Sequence, residues 1–249
     1  MIEIKQDEEA NLDEIINLFV DINQKGAKVT RLQIVRALKR DDPFLKSVYG
    51  LIAEKQPRYQ DVFVRVKKGK VVGVLSKLSV VSGAVDKTAM TDRMWGKLME
   101  LALFVRNGNK HGKGSDVLKK FVEKKEESAL ASAEAKSLRR LFTFLDEAYA
   151  SGLGNTKLAT DYSHFYIMST SLLTGMLPPE TRDDPAKDRQ QLTEKLKNFA
   201  GLLEHPPTKR PDQEETDLEK YINLSSRQTT DARKREQRQT LFKKIVEGL

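Results

Sequence analysis

Apolar residues recur at helical spacing along most of this chain. In NLDEIINLFVDIN, Leu12, Ile15, Ile16, Phe19 and Val20 fall at i, i+3, i+4, i+7 and i+8, the stripe of a helix that buries one face. Asn11 is placed to cap it, and Glu14 three residues on completes a capping-box pattern. Asn23 falls near its end and Gly26 just beyond, where a left-handed turn costs glycine least. Thr30 can cap the next helix, TRLQIVRALKR, with Leu32, Ile34, Val35 and Leu38 apolar and an Asp-Asp-Pro stop.

Further along, TDRMWGKLMELALFVRNG carries Met94, Trp95, Leu98, Leu101, Ala102 and Val105 at helical spacing, and Gly108 ends it. The stretch from Ser115 to Gly152 reads as one long helix or two joined ones, closed by Gly152. Residues 160–176 hold an apolar and aromatic run, and QLTEKLKNFAGLLE is amphipathic. HPPTKRPDQEET, rich in proline and charge, reads as a linker before DLEKYINL and a last helix from about Asp231. Leu241, Phe242, Ile245 and Val246 give that last helix its apolar stripe.

Residues 61–75 support two readings. Val62, Val64 and Val66 alternate with Phe63, Arg65 and Lys67, and KKGK suits a hairpin turn, so a short β-hairpin is expected here. Val71, Val72, Val74 and Leu75 would also open a helix. The predicted fold is mainly α, a multi-helix bundle-like architecture with an N-terminal helical part over 1–125 and a C-terminal helical part over 126–249. No repeat of fixed period is evident.

A chain of 249 residues can bury a sizeable core. It contains no apolar run long enough to cross a bilayer, and MIEIKQDEEA lacks the basic-then-apolar pattern of a signal peptide. The absence of cysteine excludes disulfides and thiolate metal sites. A soluble, cytoplasmic protein with no membrane partner is expected. The net charge of +8 favours an anionic partner, and the cations cluster in KSLRR (136–140) and more densely in RQTTDARKREQR (227–238).

Few residues suggest chemistry. GNKHGKGS (108–115) departs from a phosphate loop: three residues separate its glycines, Gly114 follows Lys113, and it follows a helix rather than a strand. It reads as a helix-to-helix loop, although an anion could settle near Lys110, Lys113 and the cap residue Ser115. His111, His164 and His205 are widely spaced with no metal-ligand pattern, and His164 reads as a buried, hydrogen-bonded imidazole. Asp41-Asp42 and Asp183-Asp184 adjoin prolines and read as turn and cap residues. No catalytic residue, metal ligand or cofactor is indicated.

The last helix is different. Cations crowd its first turns, where they oppose the macrodipole and gain nothing locally. This makes Arg227, Arg233, Lys234, Arg235 and Arg238 the expected nucleic-acid contacts, reaching phosphates with salt-dependent affinity; the alternative is solvated charge paired with acidic neighbours.

FVDINQKGAKVT (19–30) also resembles a segment of the DGQQR-motif proteins, the ParB-like restriction and phage-defence family that includes GmrSD-type enzymes. Phe19, Ile22, Asn23, Gly26, Val29 and Thr30 carry the match. TDRMWGKLMELALFVRNG and YINLSSRQTTDARKREQRQTLFKKIVE are similar to other parts of those proteins. In the family these elements follow an α/β domain bearing Asp-Gly-Gln-Gln/His-Arg, tied to nucleotide hydrolysis and control of DNA cleavage. That motif does not occur here, nor does the HNH nuclease of some relatives, and Asp21 stands where many members have Arg. The resemblance thus implies the helical C-terminal half of such a protein, a truncated or split product. Its expected role is a non-catalytic, DNA-related module that binds DNA or a separately encoded DGQQR half. Two alternatives are a nucleotide- or phosphodiester-hydrolysing enzyme around Asn23, Lys28 and Arg31, and a structural interaction domain.

Overall fold

The computed structural model describes residues 42–52, 69–81, 91–110, 128–181, 183–207, 214–226 and 231–249. The described residues form nine α-helices and no strand. They are α1 Pro43–Tyr49, α2 Lys70–Leu75, α3 Asp92–Asn107, α4 Ser132–Ala150, α5 Lys157–Thr160, α6 Tyr162–Ser171, α7 Pro185–Glu204, α8 Asp217–Ser226 and α9 Ala232–Glu247. The protein is mainly α and bundle-like, as the periodicity predicts.

Capping chemistry sets most of the boundaries. The Asp42 carboxylate accepts from the Phe44 and Leu45 amides at 2.9 and 3.0 Å, with Pro43 at the first helical position. Asp184 repeats the device before Pro185, accepting from the Lys187 amide at 3.0 Å. Both Asp-Pro pairs are therefore helix starts. Asp161 caps α6 and Asp231 caps α9 in the same way. Gly108 ends α3 at φ 63°, a left-handed conformation that favours glycine.

The second arm of the expected hairpin is helical. Lys70–Leu75 is α2, while residues 61–68 lie outside the described residues. Val71, Val72, Val74 and Leu75 are all buried. Positions i, i+1, i+3 and i+4 share one face of a helix, whereas a strand would divide them between two faces. That face packs on α4.

One hydrophobic cluster runs from Phe44 to Val246 and draws on residues either side of position 125. α3 lies at its centre, burying Met94, Leu98, Met99, Leu101, Ala102 and Phe104 around most of its circumference. α4 turns Leu138, Leu141, Phe142, Phe144 and Leu145 inward. α9 packs against α6, α7 and α8. There Phe199 stands edge-on to Tyr221 and Phe242, with ring centroids 5.3 and 4.9 Å apart. Among the described residues no helix is long and apolar enough to cross a membrane.

Candidate nucleic-acid interface

The expected contacts on α9 divide sharply once folded. Arg233 is exposed, Lys234 is half-buried, and Arg227 lies outside the described residues. Arg235 and Arg238 are interior residues, 2% and 1% exposed. As placed here, those two arginines cannot reach a phosphate in solvent. Their position on the helix explains this: Arg235, Arg238, Phe242 and Val246 follow one buried stripe.

What compensates the buried guanidinium groups is a set of partners on α3, α6 and α8. Arg235 Nη2 lies 3.8 Å from Glu100 Oε2, with both side chains 2% exposed. Its guanidinium also sits 4.3 Å from the centre of the Tyr166 ring. Glu100 is further satisfied by Lys97 Nζ at 3.1 Å and by the Tyr162 hydroxyl, which donates to Oε2. Burial and the neighbouring Glu100 carboxylate both push the Tyr162 phenol upward, so it stays a protonated donor. Arg238 donates to the Ser163 carbonyl at 2.9 Å and to its hydroxyl at 2.7 Å, and its guanidinium lies 5.6 Å from the Tyr221 ring centre.

The network continues on both sides. His164 Nδ1 pairs with the Tyr221 hydroxyl at 2.9 Å, and the two rings stack at 5.5 Å. The imidazole is thus buried and hydrogen-bonded, as its setting in the sequence indicates. Tyr166 donates to Asn109 Oδ1, Asn109 donates to Gln239 Oε1, and Gln239 donates to Thr174 Oγ1, at 3.3, 3.3 and 2.9 Å. These bonds fasten α9 to the turns after α3 and α6, and α6 to the turn after α3. Of the cations opposing the macrodipole of α9, Arg235 and Arg238 therefore have intramolecular carboxylate, carbonyl and aromatic partners.

A second cationic surface lies on α4, built from the KSLRR cluster. Leu138 is buried, while Lys136 and Arg139 are exposed and Arg140 is partly buried, so the helical turn projects its cations from the core. With Arg189 of α7 they line a cavity of about 260 Å³ whose floor includes Phe144, Leu177 and Pro178. Arg140 donates to the Pro178 carbonyl at 2.7 Å and pairs with Glu180 at 3.2 Å. Lys136 reaches the same carboxylate at 3.6 Å, and Arg189 pairs with Glu147 at 3.5 Å. Charge clustering in the sequence marks three of these cations. Arg189 is brought to them only by the packing of α7.

The resemblance residues Phe19, Ile22, Asn23, Gly26, Val29 and Thr30 lie outside the described residues, as do His111, Lys113 and Ser115. Among the described residues no group of three or more His, Cys, Asp or Glu could hold a metal ion. Comparison with protein-family models, curated proteins and solved structures returns no match to this chain.

Proposed function

We propose that this chain is a non-catalytic helical module of a DNA-related restriction or defence system, contacting nucleic acid through its cationic surfaces. The observation that supports it is the gathering of Lys136, Arg139, Arg140 and Arg189 around one groove. Isolated surface cations are ordinary, but several converging on a concave surface give the electrostatic footprint of a phosphate-contacting protein. Contact with phosphates rather than bases would make the affinity salt-sensitive and largely indifferent to sequence. The exposed Arg233 on α9 belongs to the same class of contact, whereas Arg235 and Arg238 serve the interior. The resemblance around Asn23 supports a second partner, a separately encoded DGQQR half.

The test is binding of labelled duplex and single-stranded DNA across a salt series, with Lys136→Gln/Arg139→Gln alongside. Affinity should fall steeply with salt, each phosphate neutralised contributing about 0.9 to the logarithmic slope on duplex. The double variant should bind more weakly with a shallower slope. No binding at low salt sinks the nucleic-acid reading, and co-purification with a DGQQR-containing half becomes the next measurement.

A further inference from the structure

The groove on α4 already holds one anionic group. Glu180 belongs to the turn between α6 and α7, and its carboxylate is bracketed by Lys136 Nζ at 3.6 Å and Arg140 Nε at 3.2 Å. Among the described residues lining the cavity it is the one carboxylate, beside Lys136, Arg139, Arg140 and Arg189. The turn that carries it is secured on both sides. Arg140 holds the Pro178 carbonyl at 2.7 Å, and Lys243 of α9 holds the Thr174 carbonyl at 2.8 Å.

We infer that this cavity is a site for a single phosphate group, with the Glu180 carboxylate occupying the seat that phosphate would take. The inference rests on reading the groove as a phosphate-contacting surface, and adds to it a discrete site and an intramolecular competitor. Three observations support it. Lys136 and Arg140 converge on one anionic seat from α4, while Arg139 and Arg189 line the same cavity with their guanidinium groups on the Gly50 carbonyl at 3.4 Å and on Glu147 at 3.5 Å, adding positive charge that a phosphate feels more strongly than a carboxylate. The Glu180 pairs are solvated, with side-chain exposure of 51% for Glu180 and 69% for Lys136, and such exposed pairs are cheap to break. Phe144, Leu177 and Pro178 line the same cavity, and apolar lining beside a charged group strengthens a charge-assisted bond to it. A cavity of about 260 Å³ leaves room for a phosphate with several waters, each needing about 30 Å³. The phosphate could belong to a nucleic-acid backbone, to a strand terminus or to free inorganic phosphate, since all three share this chemistry.

The experiment uses the full chain at fixed ionic strength. Inorganic phosphate, with acetate as the carboxylate comparator, is titrated calorimetrically into wild type, Glu180→Gln, Lys136→Gln/Arg139→Gln and Glu194→Gln. Glu194→Gln removes one negative charge elsewhere on α7 and controls for bulk charge. Phosphate should bind wild type and acetate should not. Glu180→Gln should tighten phosphate by about three- to tenfold, the double variant should weaken it by a similar factor, and Glu194→Gln should leave it unchanged. Equal effects of Glu180→Gln and Glu194→Gln, or no phosphate binding by either Glu180→Gln or wild type, overturn the inference.

The same proteins are then tested on duplexes with and without a 5′-phosphate. A preference for the phosphorylated end identifies a terminal phosphate, whereas equal binding identifies the backbone. If duplex binding depends on Lys136 and Arg139 while Glu180→Gln behaves like Glu194→Gln, the discrete site fails and the nucleic-acid reading stands. If phosphate binds as expected but no duplex does at any salt, the nucleic-acid reading fails and the phosphate site stands.

Discussion

The Arg235 guanidinium and the Glu100 carboxylate face each other in the interior at 3.8 Å, and neither is more than 2% exposed. α9 is joined to α3 by this pair, at a position where the sequence alone suggests an exposed cation. Breaking a buried pair leaves the surviving charge desolvated, which costs about 3–5 kcal/mol where no other partner exists. Glu100 retains Lys97 and the Tyr162 hydroxyl, so Arg235→Met should cost somewhat less, about 2–4 kcal/mol. Adding Glu100→Gln should recover part of that loss, because the buried carboxylate that has lost its arginine partner is then neutral. Urea unfolding at unchanged slope measures both. An unaltered midpoint in Arg235→Met would show that the pair contributes nothing.

The same burial separates two kinds of arginine that a binding assay alone would confuse. Arg238→Ala should lower the melting temperature, since it abandons the bonds to the Ser163 carbonyl and hydroxyl and leaves a gap beside Tyr221. Any fall in DNA binding in that variant should track the folded fraction. Lys136→Gln/Arg139→Gln should instead weaken DNA binding with the melting temperature within a few degrees of wild type. Circular dichroism melts run beside the binding series decide this. Weakened binding by fully folded Arg238→Ala would return that residue to the interface.

Gly175 sits in the turn after α6 at φ 110°, with open space where a Cβ would project. Gly175→Ala therefore meets backbone strain and no collision, an expected cost of about 1–2 kcal/mol from the left-handed conformation alone. The turn precedes Leu177, Pro178 and Glu180, so the variant also reports whether the groove depends on it. An unchanged unfolding midpoint in Gly175→Ala would show that the turn relaxes without strain.

Much of this architecture follows from local chemistry written in the chain. Asp42 and Asp184 before prolines, Asp231 before α9 and Gly108 after α3 each act at the boundary their residue type indicates. α2 was legible only in part, because four apolar residues at Val71, Val72, Val74 and Leu75 satisfy a short helix or a buried strand until their common face is known. The interior polar network was hidden for a different reason. Glu100 lies within the apolar run MELALF, and Arg235 and Arg238 lie in a highly charged segment, so composition assigns all three to the surface. The available signal was the stripe of Phe242 and Val246: extended backwards at helical spacing, it reaches Arg238 and Arg235. Their partners come from α3, α6 and α8, and long-range pairing of this kind leaves no local pattern. Arg189 joining the KSLRR face is hidden for the same reason.

His164 supplies a pH dependence with a definite sign. Its imidazole is 6% exposed and bonded through Nδ1 to the Tyr221 hydroxyl at 2.9 Å. Burial depresses it from 6.5 to about 4; Asp161 opposes that shift, while Arg238 and Lys157 reinforce it. The folded protein therefore holds this imidazole neutral at pH values where the unfolded chain protonates it. Between about pH 6.5 and 4 the unfolded state binds more protons, so stability should fall as the pH drops through that window. The ceiling is about 3 kcal/mol, at about 1.4 kcal/mol for each pH unit of displacement. Above pH 7 the contribution should be constant. His164→Gln removes the titrating group, and its urea midpoints should decline less steeply than those of wild type across that window, whatever the offset between the two proteins. Parallel declines would mean that other groups carry the acid sensitivity, and that His164 titrates in the folded protein much as it does in the unfolded chain.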